Sequence, residues 1–136
     1  MRNLAQVLKD SFVQVNYDIE DNTPDCKFSG TTCSIVLTRG PQLISANAGD
    51  SRAIIVDKEG NARALSRDHK PDTPDEHARI IARGGRVRPL INQQVGVEMG
   101  PARVWLKELE VPGLAMSRSL GDQVAQSVGV SPEPGK

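Results

Sequence analysis

The stretch Ser45–Ala53, which reads Ser-Ala-Asn-Ala-Gly-Asp-Ser-Arg-Ala, decides how the chain is interpreted. A strand-like run precedes it and the apolar run Ala53–Val56 follows it, so Asp50 stands where one strand ends and the next begins. Gly49 suits a tight turn or a bulge at this point. A carboxylate held at a strand end, pointing out of a sheet, could meet a hard cation. Spacing alone favours the simpler interpretation, in which Asp50 only supplies turn chemistry.

Composition predicts one intracellular domain. The chain has 136 residues, 38% hydrophobic and 25% charged, which is enough for a modest core. Seventeen basic residues balance 17 acidic ones, which argues against a nucleic-acid or polybasic membrane surface. No apolar run is long enough to span a membrane, and no signal-peptide core is visible. Cys26 and Cys33 form neither a disulfide framework nor a zinc pattern, so we expect a reducing compartment, cytoplasmic or nuclear, with Cys33 a small buried hydrophobe.

The first half of the chain predicts one helix followed by antiparallel strands. Leu4, Leu8, Phe12 and Val15 recur at helical spacing, which predicts a helix over residues 1–16. The polar residues 18–27 predict a loop. Strands are predicted over 31–38, 42–48, 52–57 and 62–65, with a hairpin turn at 58–61.

The second half is punctuated by a capped helix and a long irregular segment. Thr73 and Glu76 fit a capping box with Pro74 at the first helical position, which predicts a helix over 73–83. Prolines and glycines in 86–112 predict that no long element forms there. Within it, Val104–Leu106 fits either a short strand or a pinned loop. Trp105 is expected to anchor the loop rather than to stack on a ligand. We predict a strand over 114–117 and an extended segment over 128–136.

Six separated segments stand in one order and together indicate a family. They are Ser-Gly-Thr-Thr-Cys (29–33), Ala-Asn-Ala-Gly-Asp-Ser-Arg-Ala (46–53), Ser-Arg-Asp-His-Lys-Pro (66–71), Glu-His-Ala-Arg-Ile-Ile-Ala-Arg-Gly-Gly-Arg-Val (76–87), Pro-Gly-Leu-Ala-Met-Ser-Arg-Ser-Leu-Gly-Asp (112–122) and Ser-Pro-Glu-Pro (131–134). The ordered set resembles the middle of the protein phosphatase 2C family, the metal-dependent Ser/Thr phosphatases. The resemblance implies an α/β (α+β) fold, a partial antiparallel β-sandwich flanked by helices. It also implies that residues 1–136 form a single incomplete catalytic domain, with 86–111 as its flap.

The resemblance also implies a reaction and a site. Family members hydrolyse phosphoserine and phosphothreonine on proteins with water activated by two Mg²⁺ or Mn²⁺ ions. Asp50 matches the family position that contributes to a third, weaker metal site. Asp122 matches a motif that shapes the fold beside the site, and Arg52 and Arg118 are candidates for a supporting ion pair or for plain surface residues.

Other motifs of the family are not found in this sequence. No Asp-Gly-His motif is present, and His69 and His77 do not match the catalytic His, so both are expected to be structural or exposed. We therefore assign no catalytic residue and expect this chain alone to be inactive. Its partners would be phosphoprotein substrates, and its unpaired strand edges predict self-association. A non-catalytic, phosphatase-like interaction module remains the alternative.

Overall fold

A computed structural model describes residues 3–135 of the chain. Helices and short antiparallel strands alternate, which confirms the predicted α+β class. The elements in chain order are α1 (Leu4–Asn22), β1 (Gly30–Thr31), β2 (Cys33–Arg39), β3 (Gln42–Ala48), β4 (Ile54–Val56), β5 (Ala62–Ala64), α2 (Pro74–Ala82), β6 (Arg86–Asn92), β7 (Val97–Trp105), β8 (Pro112–Leu114), β9 (Leu120–Gly121) and α3 (Gln123–Gln126).

The β2–β3 hairpin places the decisive stretch at its open end. Seven residue pairs join the two strands, from Arg39↔Gln42 beside the turn to Cys33↔Ala48 at the far end. Strand β3 has the predicted bounds, whereas β4 is shorter than predicted and pairs only with β5 among the described residues. Because β3 ends at Ala48, Gly49 and Asp50 leave the hairpin as a bend.

Helix α1 runs to Asn22, so the prediction of a loop from residue 18 was wrong for its first five residues. Asn3 caps the helix through its side chain, which accepts a hydrogen bond from the Ala5 N–H. Asn16 is buried, and its Oδ1 accepts from the Gly121 N–H at 2.9 Å, which holds α1 against β9. The helix ends beside Pro24, whose ring disfavours a helical residue before it.

Residues 86–105 form a hairpin of two long strands, so the prediction that prolines and glycines prevent a long element was also wrong. Strands β6 and β7 pair on both sides of a register shift between Arg88 and Leu90, where Pro89 cannot donate to the ladder. Strand β8 pairs with β7 but ends at Leu114, so the prediction of a strand over 114–117 was wrong for residues 115–117. Trp105 is a buried anchor, as predicted: its Nε1 donates to the Arg88 carbonyl at 2.9 Å.

Two apolar clusters form the core. One lies under α2 and the β6–β8 sheet and contains Ile80, Val104, Ala125, Val128 and Val130. The other joins α1 to the β2–β3 hairpin through Phe12, Ala46, Ala48 and Leu120, with half-buried Cys33 packed against it. Within residues 3–135, none of the helices has the length and apolar character needed to cross a membrane.

Candidate metal site at the end of strand β3

The bend that carries Asp50 is fixed from several directions. The Gly49 carbonyl accepts hydrogen bonds from the His69 N–H at 3.0 Å and from Asn47 Nδ2 at 3.0 Å. Gly49 has a φ of +106°, and a Cβ there would lie 2.4 Å from Thr32 Cγ2. Only glycine fits this backbone without strain. Asp50 therefore projects from a rigid support, as a metal ligand requires.

The Asp50 carboxylate is half-buried and forms an ion pair with Lys70. Lys70 belongs to the segment that follows β5, and the neighbouring His69 ties this segment to Gly49. An ammonium group beside the carboxylate competes with any cation for the same oxygens. The sequence analysis missed this role of Lys70, since nothing in its local pattern points to a residue 20 positions away.

Asp122 lies at the same cavity as Asp50. The two carboxylates line a cleft of about 380 Å³ together with Phe28, Arg103 and Met116, among other residues. Asp122 is only 6% exposed, has a φ of +51° and leaves its Oδ2 without a hydrogen-bond partner among the described residues. Burial raises its pKa. Its Oδ2 would lie 2.1 Å from a Cβ at position 30, so this carboxylate requires Gly30 and shapes the loop around it.

The two arginines singled out from sequence each form an ion pair, but with different partners. Arg52 donates from Nε and Nη2 to the two oxygens of Asp68, both at 2.8 Å. This fork joins the residues just before β4 to the segment that carries His69 and Lys70. Arg118 instead reaches α2, where its Nη2 donates to Glu76 at 2.6 Å.

Glu76 is a central buried charge that the sequence analysis misinterpreted. Thr73 makes no side-chain capping bond, so the predicted capping box does not form. Instead Glu76, with 0% exposure, accepts from Arg79, from Arg118 and from the Ser117 hydroxyl at 2.6 Å. Burial raises the pKa of Glu76, but the hydrogen bonds from these three groups outweigh it and hold the pKa well below its usual range. The sequence did contain a signal that Glu76 is buried, because Glu76 lies four residues before the buried Ile80, on the same face of the helix.

His69 and His77 have the structural and exposed positions that we expected. His69 is 1% exposed, and its Nδ1 lies 3.2 Å from the Gly49 nitrogen. The same Nδ1 lies 3.1 Å from the Gly49 carbonyl oxygen, so both backbone groups of Gly49 face this ring nitrogen. Burial and then the nearby Arg118 charge lower the pKa of His69, so the ring is neutral near pH 7. His77 is exposed on α2.

The residues present fit part of a hard-cation site. Mg²⁺ and Mn²⁺ prefer oxygen ligands, and Asp50 and Asp122 offer carboxylate oxygens at one cleft. Across residues 3–135, however, no group of three or more His, Cys, Asp or Glu side chains is arranged to hold a metal ion. The described residues therefore offer individual carboxylates that could bind a metal ion, but not a complete metal site.

Comparison with known proteins identifies the family. The model of the family described as "Protein phosphatase 2C" matches residues 1–135. "Probable protein phosphatase 2C 12" of Oryza sativa subsp. japonica is 46% identical over 114 residues, covering 81% of this chain and 28% of the relative. "Probable protein phosphatase 2C 35" of Arabidopsis thaliana is 38% identical over 143 residues, covering 93% of this chain and 41% of the relative. The chain thus spans less than half the length of these relatives.

Solved structures show the same fold. The serine-threonine phosphatase 2C from Toxoplasma gondii superposes with a TM-score of 0.78 at 22% identity, covering 97% of this chain and 44% of the other. A C. elegans sex determining protein superposes with a TM-score of 0.72 at 24% identity, covering 98% and 29% of the two chains. These likenesses show the fold, and the family match over residues 1–135 establishes that the chain belongs to the protein phosphatase 2C family.

Proposed function

We propose that this chain is part of a metal-dependent protein Ser/Thr phosphatase that hydrolyses phosphoserine and phosphothreonine on proteins. Family membership supports the reaction class. The observation that carries the proposal is the Gly49–Asp50 bend, which holds one carboxylate rigidly at the edge of the cleft that it shares with Asp122. In the whole protein the divalent ions would lower the pKa of a bound water and neutralise phosphoryl charge.

Asp50 is the residue of this chain that we assign to metal, with Mg²⁺ or Mn²⁺ as the ion. Its carboxylate is accessible, whereas that of Asp122 is buried and required by the loop around Gly30. Lys70 would have to be displaced or share the carboxylate when the ion binds. A lone carboxylate with an ammonium neighbour binds a divalent ion weakly, so this chain by itself would not turn over substrate.

Paramagnetic broadening by Mn²⁺ tests the assignment of Asp50 on the chain as it exists. We expect millimolar Mn²⁺ to broaden the amide signals of residues 49–51 first, and Asp50→Asn to remove that effect. Asp25→Asn, a change at an exposed loop carboxylate, is the matched control and should leave the broadening in place. Equal broadening in the wild type and in Asp50→Asn would refute the assignment.

A non-catalytic interaction module is the second candidate. The sequence that flanks these residues in the full-length protein separates the two. Asp-Gly-His and downstream Asp motifs would support the enzyme, and their loss would support the module.

We also propose that the chain on its own associates with itself. Among the described residues, β2 pairs only with β3, and Ile35 and Val36 on it are exposed. An open strand edge with apolar side chains is a template for pairing with another chain. Analytical ultracentrifugation should show dimers or larger species, and a monomer at high concentration would contradict this.

A further inference from the structure

Three arginines share the outer face of the β6–β7 hairpin. Arg86 and Arg88 are two positions apart on β6, so their side chains leave the same face, and Arg103 lies directly opposite Arg88 on β7. The other face carries Val87 and Val104, which pack in the apolar cluster beneath α2. The three arginine side chains therefore form one surface, the arginine face.

The arginine face already holds one carboxylate of the chain itself. One oxygen of Glu110 accepts from Arg86 Nη2 at 2.9 Å, and the other accepts from Arg88 Nη2. These hydrogen bonds lower the pKa of Glu110, so its side chain is ionised at neutral pH. Glu110 belongs to the segment 106–111 between β7 and β8, and its side chain is more than half exposed. The two guanidinium groups are thus spaced to bind a carboxylate, and the carboxylate that they hold is accessible to a competitor.

Arg103 extends the arginine face to the cleft that contains Asp50. Its side chain lines this cleft together with the Asp50 carboxylate. Its Nη1 donates to the Gly113 carbonyl at 2.7 Å, whereas its Nε is buried and has no hydrogen-bond partner among residues 3–135. The accessible carboxylate of the cleft does not balance this charge, because Asp50 is paired with Lys70.

The charges of the arginine face are poorly balanced within the described part of the chain. Like charges directly opposite each other on two strands destabilise a sheet, and here the three guanidinium groups pair with a single carboxylate, that of Glu110. Arg88 is also held in place from below, since its Cζ lies 5.1 Å from the centroid of the Trp105 ring. A fixed set of guanidinium groups with too few carboxylates is complementary to an acidic ligand.

We propose that the arginine face binds an acidic segment of a partner protein, whose carboxylates replace Glu110 at Arg86 and Arg88 and reach Arg103. The identity of the partner rests on the proposed function: because Arg103 lies at the cleft of Asp50, the segment is the part of the phosphoprotein substrate beside its phosphorylated residue. Glu110 is then an internal competitor that lowers the affinity for this segment. Binding requires neither metal nor hydrolysis, so it can be measured separately from phosphatase activity.

Titration of the chain with a short acidic peptide tests the proposal. The probe is Gly-Thr-Ala-Glu-Glu-Glu-Gly, and the control is Gly-Thr-Ala-Gln-Gln-Gln-Gly, which has the same length without the charges. Trp105 is the single tryptophan of the chain and lies beneath Arg88, so its indole N–H signal in NMR spectra reports on this surface. We expect the Glu peptide to shift this signal, more weakly at high salt than at low salt, and the Gln peptide to leave it unchanged.

Two pairs of variants locate the binding to the arginine face. Glu110→Gln removes the competing charge with little change of shape and should tighten binding of the Glu peptide up to about fivefold. Glu108→Gln, at an exposed position of the same segment, is its matched control and should leave the affinity unchanged. Arg88→Gln should weaken binding at least about fivefold, whereas Arg83→Gln, at the exposed end of α2, should not.

Four results would overturn the proposal. They are no binding of the Glu peptide, equal binding of the Gln peptide, equal effects of Glu110→Gln and Glu108→Gln, and equal binding of a single-stranded oligonucleotide of the same charge, which would assign the surface to polyanions in general. Failure of the proposed function is a separate outcome, because a full-length protein without phosphatase activity would still bind the Glu peptide.

Discussion

Replacement of Glu76 by glutamine should destabilise the protein strongly, although the two side chains have nearly the same shape. Glu76 is fully buried, and its two oxygens accept from Arg79, Arg118 and Ser117. The amide keeps one acceptor oxygen but places an NH₂ group against two guanidinium groups. Both arginines keep their positive charge but lose the negative charge of the carboxylate that balances it.

The cost follows from how little water reaches this cluster. The side chains of Arg118 and Arg79 are 15% and 26% exposed, so solvent compensates poorly for the lost carboxylate. Removal of one member of a buried, hydrogen-bonded ion pair costs about 3–5 kcal/mol. We place Glu76→Gln near the lower limit, about 3 kcal/mol, because both arginines also donate to backbone carbonyls. For a chain of this size that corresponds to a decrease in Tm of about 10 °C.

Urea unfolding followed by circular dichroism measures this difference, and Asp75→Asn is the matched control. Asp75 is the preceding residue and also pairs with an arginine, Arg67, but both side chains are more than half exposed. An exposed pair contributes about 0–1 kcal/mol. If Glu76→Gln and Asp75→Asn changed the free energy of unfolding equally, the reasoning from burial would be refuted.

Three further predictions concern the surroundings of Asp50. Lys70→Gln removes the ammonium that competes with a cation, so it should tighten Mn²⁺ binding in the broadening experiment several-fold, and unchanged binding would contradict the ion pair. Gly49→Ala forces a Cβ against Thr32 at a positive φ and should cost more than about 2 kcal/mol in urea unfolding; a cost below about 0.5 kcal/mol would show that the bend relaxes easily. Because the pKa of His69 is lowered in the folded state, the unfolded state binds more protons, and stability should fall as pH decreases below about 6.5. His69→Gln should remove that part of the pH dependence between pH 7.5 and 5, and an identical slope in both proteins would contradict it.

Sequence patterns predicted those elements of the fold that are determined by residues close together in the chain. The bounds of β3 follow from its residue types and from the turn at Gly40, and α2 begins at Pro74 as its sequence indicates. The strand end and the glycine beside Asp50 indicate a bend, which the structure has, whereas the metal role of Asp50 comes from the family resemblance and stays a prediction. Trp105 was correctly predicted to be an anchor, since a lone large aromatic residue usually packs.

The features that the sequence patterns missed depend on contacts between residues far apart in the chain. Helix α1 continues past residue 16, and Ile19 on the added turn packs against the cluster that contains Ala46 and Leu120. The β6–β7 hairpin tolerates Pro89 through a register shift that only the partner strand defines. Glu76 fits a capping box by spacing, but Arg118 and Ser117, about 40 residues later, take its carboxylate. Such partners cannot be inferred from the spacing of neighbouring residues.

Hydrolysis of p-nitrophenyl phosphate by the purified chain tests the central claim most directly. The claim is that residues 3–135 carry the scaffold of a protein phosphatase 2C, with Asp50 as the proposed metal ligand and without a complete metal centre among these residues. The assay compares Mn²⁺, Mg²⁺ and excess chelator, on protein shown to be folded by circular dichroism. We predict no turnover under any of these conditions. Turnover that requires Mn²⁺ or Mg²⁺ and stops with chelator would show that these residues assemble a working centre, and would contradict the account.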